Sequence, residues 1–457
     1  MNKNKRLNKA ILILCIIEFI LILFFLAFLL VYSSLVGGDS LIMSPALYLA
    51  VIFICLIPIG MLLYYIGIRN RKINVFKFEI DEQKFTNRSK KIVKSEKGKR
   101  FSELLKLDIE NYEKSEPVKF DEVTDLADFC TRFRNFCAST KKLYYTEDDV
   151  RSFVSSLLTS KMMILQGMSG TGKTSIALAF EEFIGNPTTV VAVQPVWKER
   201  SDLIGYFNEF TKKFNETPLL KELYRSNFDD QIYIIVLDEM NIARIEYYFA
   251  EFLSLLEYPN IDQRTLEITN DSWAKDPKLL KEGRLQIKPN VYFLGTANND
   301  ESTFSISDKV YDRAMIINLD KKADSFEGKL TSRCRISNSN FENLAKTAQN
   351  SYKNYDSLNA KIDKINEILI EFFEINFGNR MVNQLKAYVP IYIACGGDED
   401  KAFDDFVAKK ILRKLEGKDA LKVSNAIQPF LEKLNSEFGK DKMLLSKEYL
   451  SHFLIKG

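Results

Sequence analysis

The chain has 457 residues, with 64 Lys/Arg against 61 Asp/Glu and a formal net charge of +3. That length suits two or three domains, and the near balance of charge excludes a general basic nucleic-acid binder while leaving room for local basic patches. A single histidine, His452, excludes a His-based metal site and Ser-His catalysis; six cysteines without C-x-x-C spacing read as reduced thiols.

The charge is unevenly spread: residues 1–100 carry 16 Lys/Arg against 6 Asp/Glu, and the remainder is mildly acidic. Ala10 to Tyr32 is a run of 23 residues with one charge, Glu18, and Pro45 to Ile68 is a second uncharged, mostly apolar run. Each is long enough for a bilayer core of about 30 Å. Lys3, Lys5, Arg6 and Lys9 precede the first run, Arg69, Arg71 and Lys72 follow the second, and residues 33–44 hold no Lys or Arg. The positive-inside rule then predicts a transmembrane helical hairpin over residues 1–70, spans about 10–32 and 45–68. The chain is expected in the cell membrane as a multi-pass protein, both termini and the body cytoplasmic. Glu18 reads either as a sensing or subunit-contact group or as a neutralised side chain without a specific job. Residues 71–140 read as a basic juxtamembrane region: Arg88 to Arg100 hold seven Lys/Arg, suited to anionic headgroups of the lipid bilayer or to a solvated linker. Phe101 to Tyr112 and Glu122 to Cys137 look helical.

The next segment carries the chemistry. Lys161 to Gln166 reads as a buried strand, and Gly167-Met168-Ser169-Gly170-Thr171-Gly172-Lys173-Thr174 fits G-x-x-x-x-G-K-[ST]. Gly167, Ser169, Gly170, Thr171 and Gly172, with Ser175 beyond, form a loop whose backbone N–H groups turn toward phosphate oxygens. Lys173 reaches the β- and γ-phosphates, and the Thr174 hydroxyl holds Mg²⁺. Ser175 to Phe180 reads as the following helix. Val190 to Val193 is a short strand. Ile232 to Leu237 is an apolar run that ends in Asp238-Glu239, 64 residues after the P-loop. Asp238 is placed to orient Mg²⁺ through its water ligands, and Glu239 to polarise the attacking water. Ile245, Phe249, Phe252 and Leu256 mark the buried face of the helix after it. Val291 to Thr296 is a further strand, running into Asn298, an amide able to position the lytic water. Met315 to Leu319 completes five strands separated by helical segments, hence a doubly wound parallel α/β sheet. From residue 340 on the pattern is helical: Ile362, Ile365, Leu369 and Phe372, then Phe403, Phe406, Val407 and Leu412, recur at helical spacing.

From about residue 140 to 425 the sequence resembles the AAA+ NTPases of the McrB-like group, motor subunits of modification-dependent restriction systems. The likeness rests on the P-loop, on Val193-Gln194-Pro195-Val196-Trp197 with Leu203 to Asn208, on Asp238-Glu239-Met240-Asn241-Ile242-Ala243-Arg244 and on Gly295-Thr296-Ala297-Asn298. The resemblance implies an AAA+ P-loop core over 141–335, with a helical lid and C-terminal helices over 336–457. It implies Asn298 as first sensor, Arg313 as an arginine finger reaching a neighbour's γ-phosphate, and Arg380, in Gly378-Asn379-Arg380, as second sensor. It implies ATP or GTP hydrolysed to NDP and phosphate with Mg²⁺ in a ring of like subunits, a hexamer by expectation. The partner would be McrC-like or a nuclease, acting on nucleic acid in a defence complex. The N-terminal runs stand where that group's restriction motor carries a DNA-reading module, which puts modified-base recognition and GTP preference in question. Two alternatives belong to other classes: a membrane-tethered protein-remodelling ATPase of the MoxR type, and a nucleotide-gated membrane effector.

Overall fold

The computed structural model describes residues 99–455 apart from 115, 168–169, 187, 299–302 and 320–322. Strands β1 (Met162–Gln166), β2 (Thr189–Ala192), β3 (Tyr233–Asp238), β4 (Val291–Ala297) and β5 (Met315–Asn318) form one parallel sheet in the order β2-β3-β4-β1-β5. The alternation of a strand sends neighbours to opposite faces. Met162, Ile164, Ile235 and Phe293 enter the core on one side, and Met163, Leu165, Val236 and Leu294 the core on the other. A parallel sheet covered on both faces therefore reads as unbroken apolar runs, which is what these segments are. Register aligns the ends: Gln166 lies beside both Ala297 and Asn318, and Met163 beside Met315.

Helices α1 (Glu103–Glu113), α2 (Leu126–Phe136), α3 (Glu147–Thr159), α4 (Lys173–Ile184) and α5 (Pro218–Arg225) pack around the sheet. Helix α3 begins with a capping box: Thr146 Oγ1 accepts the Asp149 N–H, and Asp149 Oδ2 accepts the Thr146 N–H, both at 3.0 Å. Residues 99–140 are built into the same compact unit as the sheet, which starts at residue 98. Phe129 and Phe133 of α2 pack at a tilt against Phe183 of α4 with centroids 5.3 and 5.5 Å apart. Arg100 is buried and lies 2.6 Å from Asp276 Oδ2. Two short antiparallel pairs, Phe207–Asn208 with Lys213–Phe214 and Thr265–Glu267 with Arg284–Gln286, extend from the sheet's connections.

The segment after β3 differs in detail from the single helix expected. It forms two short helices, Ile245–Tyr248 and Ala250–Leu255, broken at Phe249. Phe249 leaves helical geometry to stack on Phe252 at 5.0 Å and meet Phe293 edge-on at 5.2 Å, so ring packing overrides local helix continuity.

The C-terminal helices α6 (Asn338–Ser351), α7 (Tyr355–Phe373), α8 (Asn379–Ala394), α9 (Glu399–Phe406), α10 (Ala420–Phe438) and α11 (Leu444–Ile455) close over β5. The expected stripes are their core: Ile365, Leu369, Phe403 and Phe406 are buried with Met315 of β5. Each such side chain contributes roughly 1.5–3 kcal/mol of burial. Phe372 is only partly buried, and Phe373 beside it takes the inner place. Cys130, Cys137, Cys334 and Cys395 are free and buried, and burial pushes the Cys137 thiol up to about 12, as befits small apolar core residues. Cys15 and Cys55 lie outside the described residues.

One expectation is corrected. Among the described residues no helix is long and apolar enough to cross a membrane. Helices α7 and α10, at 19 residues each, have the length but carry charged residues such as Lys361, Glu367, Lys422 and Glu432 along them. The two runs read as spans, 10–32 and 45–68, and Glu18 within the first, lie outside the described residues. Over the described residues the fold class is therefore the parallel α/β sheet with a helical C-terminal region; the transmembrane hairpin is not supported, and the two-span membrane localisation is withdrawn with it.

Candidate active site

The C-terminal edge of the sheet gathers the motif residues. Gly172, at φ 92°, is the N-cap of α4, a left-handed turn that favours glycine. At Gly167 (φ 146°) a Cβ would stand 2.6 Å from the Leu319 carbonyl oxygen, so the loop approaches the end of β5 more closely than a side chain permits. Lys173 is buried at the first turn of α4 and its Nζ donates to the Gly167 carbonyl at 2.8 Å. Gly170, Thr171 and Ser175 complete the described part of the loop and the helix start; Ser169 lies outside the described residues.

Thr174 Oγ1 donates to Asp238 Oδ1 at 3.0 Å, joining the first turn of α4 to the end of β3. Thr296 of β4 donates its hydroxyl to the same oxygen at 2.8 Å and accepts the Glu239 N–H at 2.8 Å. One threonine thus fixes both acidic residues. Glu239 itself turns into left-handed backbone, φ 51°, a conformation that costs a non-glycine residue on the order of 1–3 kcal/mol. That turn ends the strand and leaves the Glu239 side chain exposed beyond it. Asn298 is held through its backbone by the buried Asn241, whose Nδ2 donates to the Asn298 carbonyl at 2.8 Å and whose Oδ1 accepts the Asn298 N–H at 3.3 Å. Mg²⁺ takes few protein ligands, all oxygen, and completes its shell with water and phosphate. The Thr174 hydroxyl and Asp238 carboxylate, side by side, fit that habit.

The N-terminal edge is different. Arg313 follows the short helix Asp308–Tyr311 and precedes β5, level with Lys161 in the register of β1 and β5. Its Nε lies 2.6 Å from Glu257 Oε1, and its Nη2 donates to Oε2 at 3.2 Å. Arg380, at the start of α8, lies 2.7 Å from the same Oε1. Both arginines open onto a cavity of about 670 Å³, which Lys161, Arg264 and Lys346 also line, with Glu257 and Glu342 as its carboxylates. Burial pulls Lys161 down to about 8 even though its Nζ lies 2.8 Å from Glu342. Burial also lowers Arg264. From the level of Arg313 to Gly167 is six strand residues, roughly 20 Å at about 3.3 Å each. The structure therefore groups Lys173, Thr174, Asp238, Glu239 and Asn298 at one edge, and Arg313 with Arg380 at the other. Thr296 and Asn241 stand inside motifs noted in the sequence, where their contacts to Asp238 and Asn298 had no separate signal. Glu257 has none at all.

Residues 162–314 match the model of the AAA domain of the dynein-related subfamily, and residues 329–456 match a domain of unknown function (DUF8727). No curated protein matches the sequence. Among solved structures, a "putative ATPase" from Cytophaga hutchinsonii is 12% identical over 67% of this chain and 96% of that one, with a TM-score of 0.42. A full-length MCM homolog from Methanopyrus kandleri is 11% identical over 63% of this chain and 61% of that one, with a TM-score of 0.37. Residues 162–314, which hold the P-loop and strands β1 to β4 of the parallel sheet, therefore form an AAA+ ATPase domain.

Proposed function

We propose that the chain hydrolyses ATP where two copies of it meet, each P-loop being completed by Arg313 and Arg380 of the next subunit. The observation that carries this reading is the separation of the two groups by the length of the sheet. Neither arginine is within reach of its own P-loop, while the cavity they line opens outward. In this reading the loop from Gly167 to Ser175 binds the triphosphate, with Lys173 on the β- and γ-phosphates. Thr174 and Asp238 hold Mg²⁺, which when bound neutralises charge between the β- and γ-phosphates. Glu239 polarises the attacking water and Asn298 orients it. A guanidinium from the neighbour then offsets charge on the transferred phosphoryl group, a contribution of about 10³–10⁵ in rate where such a group has been removed or supplied.

Head-to-tail contacts of this kind close into a ring where the rotation between neighbours completes a full turn. The work is proposed to fall on a macromolecule. Phe210, 99% exposed between the paired residues Phe207–Asn208 and Lys213–Phe214, suits a gripping contact. The sequence likeness to McrB-like motors supports nucleic acid as that substrate and a McrC-like nuclease as partner.

The test is subunit mixing. Arg313→Ala and Glu239→Gln are each expected to be inactive alone, and to regain part of the turnover when mixed, because one lends the arginine and the other the carboxylate. No recovery at any ratio counts against an interface site. Stimulation by protein but not by nucleic acid would redirect the choice of substrate.

A further inference from the structure

The short stretch Tyr311 to Ala314 is gripped, residue by residue, from the C-terminal helices. Lys410 is 2% exposed, and its Nζ donates to the Ala314 carbonyl at 2.7 Å and the Asp312 carbonyl at 3.4 Å. It also donates to Gln384 Oε1. Gln384 Nε2 donates in turn to the Arg313 carbonyl at 3.3 Å, which Ser160 Oγ also bonds at 3.1 Å. Lys414 Nζ lies 3.2 Å from Asp312 Oδ1. The Arg413 guanidinium sits 4.5 Å over the Tyr311 ring. On its other side the Tyr311 hydroxyl accepts from Gln166 Nε2 at 2.7 Å, one residue before the P-loop.

A buried lysine is an expensive way to fill a core, and desolvation pulls this one down to about 7 against Asp312, with Arg380 and Lys414 as its cationic neighbours. An apolar side chain would pack there at lower cost but would leave the carbonyls that end the short helix without donors. Such a group specifies geometry. We propose that Lys410, with Gln384, is the positioning residue for Arg313. It sets where the guanidinium stands against the next subunit's nucleotide, and so carries movement of the C-terminal helices in one subunit to hydrolysis in its neighbour. This rests on the interface reading above.

Lys410→Met keeps length and loses the donors. Its affinity for an ATP analogue is expected to stay within about twofold, since its own P-loop is intact, while kcat falls by about 10²-fold, the cost of misplacing a group by about 1 Å. Mixed with Glu239→Gln subunits, which carry a well-placed Arg313, it should regain turnover as Arg313→Ala does. The double variant Arg313→Ala/Lys410→Met should be no slower than Arg313→Ala alone. Failure of Lys410→Met to recover in mixtures where Arg313→Ala recovers, or losses that multiply in the double variant, would overturn the proposal. If Arg313→Ala itself does not recover, the interface reading fails and takes this one with it. Should Lys410→Met not fold, Gln384→Leu takes its place, since that side chain is half-buried and bonded to the Arg313 carbonyl. A smaller loss of kcat that recovers in the same mixtures supports the proposal, and a loss that does not recover there overturns it.

Discussion

The two edges of one sheet are organised by opposite rules. At the C-terminal edge each functional group is tied by short bonds to its immediate neighbours: Thr174 and Thr296 to Asp238, Glu239 N–H to Thr296, Asn241 to Asn298. At the N-terminal edge two cations share one carboxylate, and their placement depends on helices far along the chain. The first arrangement is preorganised, so charge developing in a reaction meets fixed dipoles. The second is held by exchangeable ion pairs at a surface, which suits groups that must leave one anion for another.

The sharpest break of that contrast is Lys173→Ala. If the C-terminal edge binds the triphosphate by itself, nucleotide affinity measured by calorimetry should vanish and turnover fall by about 10³-fold or more. Retained binding would move the nucleotide away from this edge. Next in size is Thr296→Val, nearly isosteric. It removes the hydroxyl shared by Asp238 and Glu239 and leaves a backbone N–H unpaired, a cost of about 1–3 kcal/mol. Binding should survive while kcat drops by about 10²-fold, and Thr296→Ser should restore most of it. Equal activity in Thr296→Val and the parent would mean that the two carboxylates hold their places without it.

Below the P-loop, α4 carries a different kind of charge. Glu181 is 4% exposed, and burial followed by repulsion from Glu222 on α5 pushes it up to about 9. A folded pKa above the unfolded value means the folded chain binds the extra proton. The stability from this group is fully present below about 4.5 and is lost as pH rises through about 9. Tm should therefore fall across that window. Glu181→Gln should flatten the fall, gaining about 2 kcal/mol on the parent between pH 6 and pH 8. An unchanged slope would place the titration elsewhere.

Legibility followed the same divide. The inner strands are nearly continuous apolar runs because both faces of the sheet are covered there, unlike the partly exposed edge strand β2, and the C-terminal edge is readable because its residues sit beside one another in motifs. The N-terminal edge is not. Arg313 meets Glu257 56 residues back, the carbonyls on either side of it meet Lys410 nearly a hundred ahead, and no local pattern encodes either meeting. Arg380, which the resemblance implies as second sensor, stands beside Arg313 because α8 runs past the start of β5. The apolar runs before residue 70 lie outside the described residues; hydropathy weighs length and composition only, and among the described residues no helix supports the fold class built on it.

The smallest effect probes the shared carboxylate. Glu257 is partly exposed, and an ion pair so placed is worth about 0.2–1 kcal/mol. If Glu257 merely holds Arg313 and Arg380 until a neighbour's phosphates compete for them, Glu257→Gln frees both arginines at little cost. Self-association in the presence of ATP, followed by sedimentation, should then reach its midpoint at a protein concentration up to about fivefold lower, since 1 kcal/mol is roughly a factor of five. Added salt should shrink the difference, because the pair is reached by solvent. A collapse of kcat like that of Arg313→Ala would reverse the assignment. Glu257 would then be part of the geometry that aims the arginines, and the N-terminal edge would be as rigidly organised as the edge that carries the P-loop.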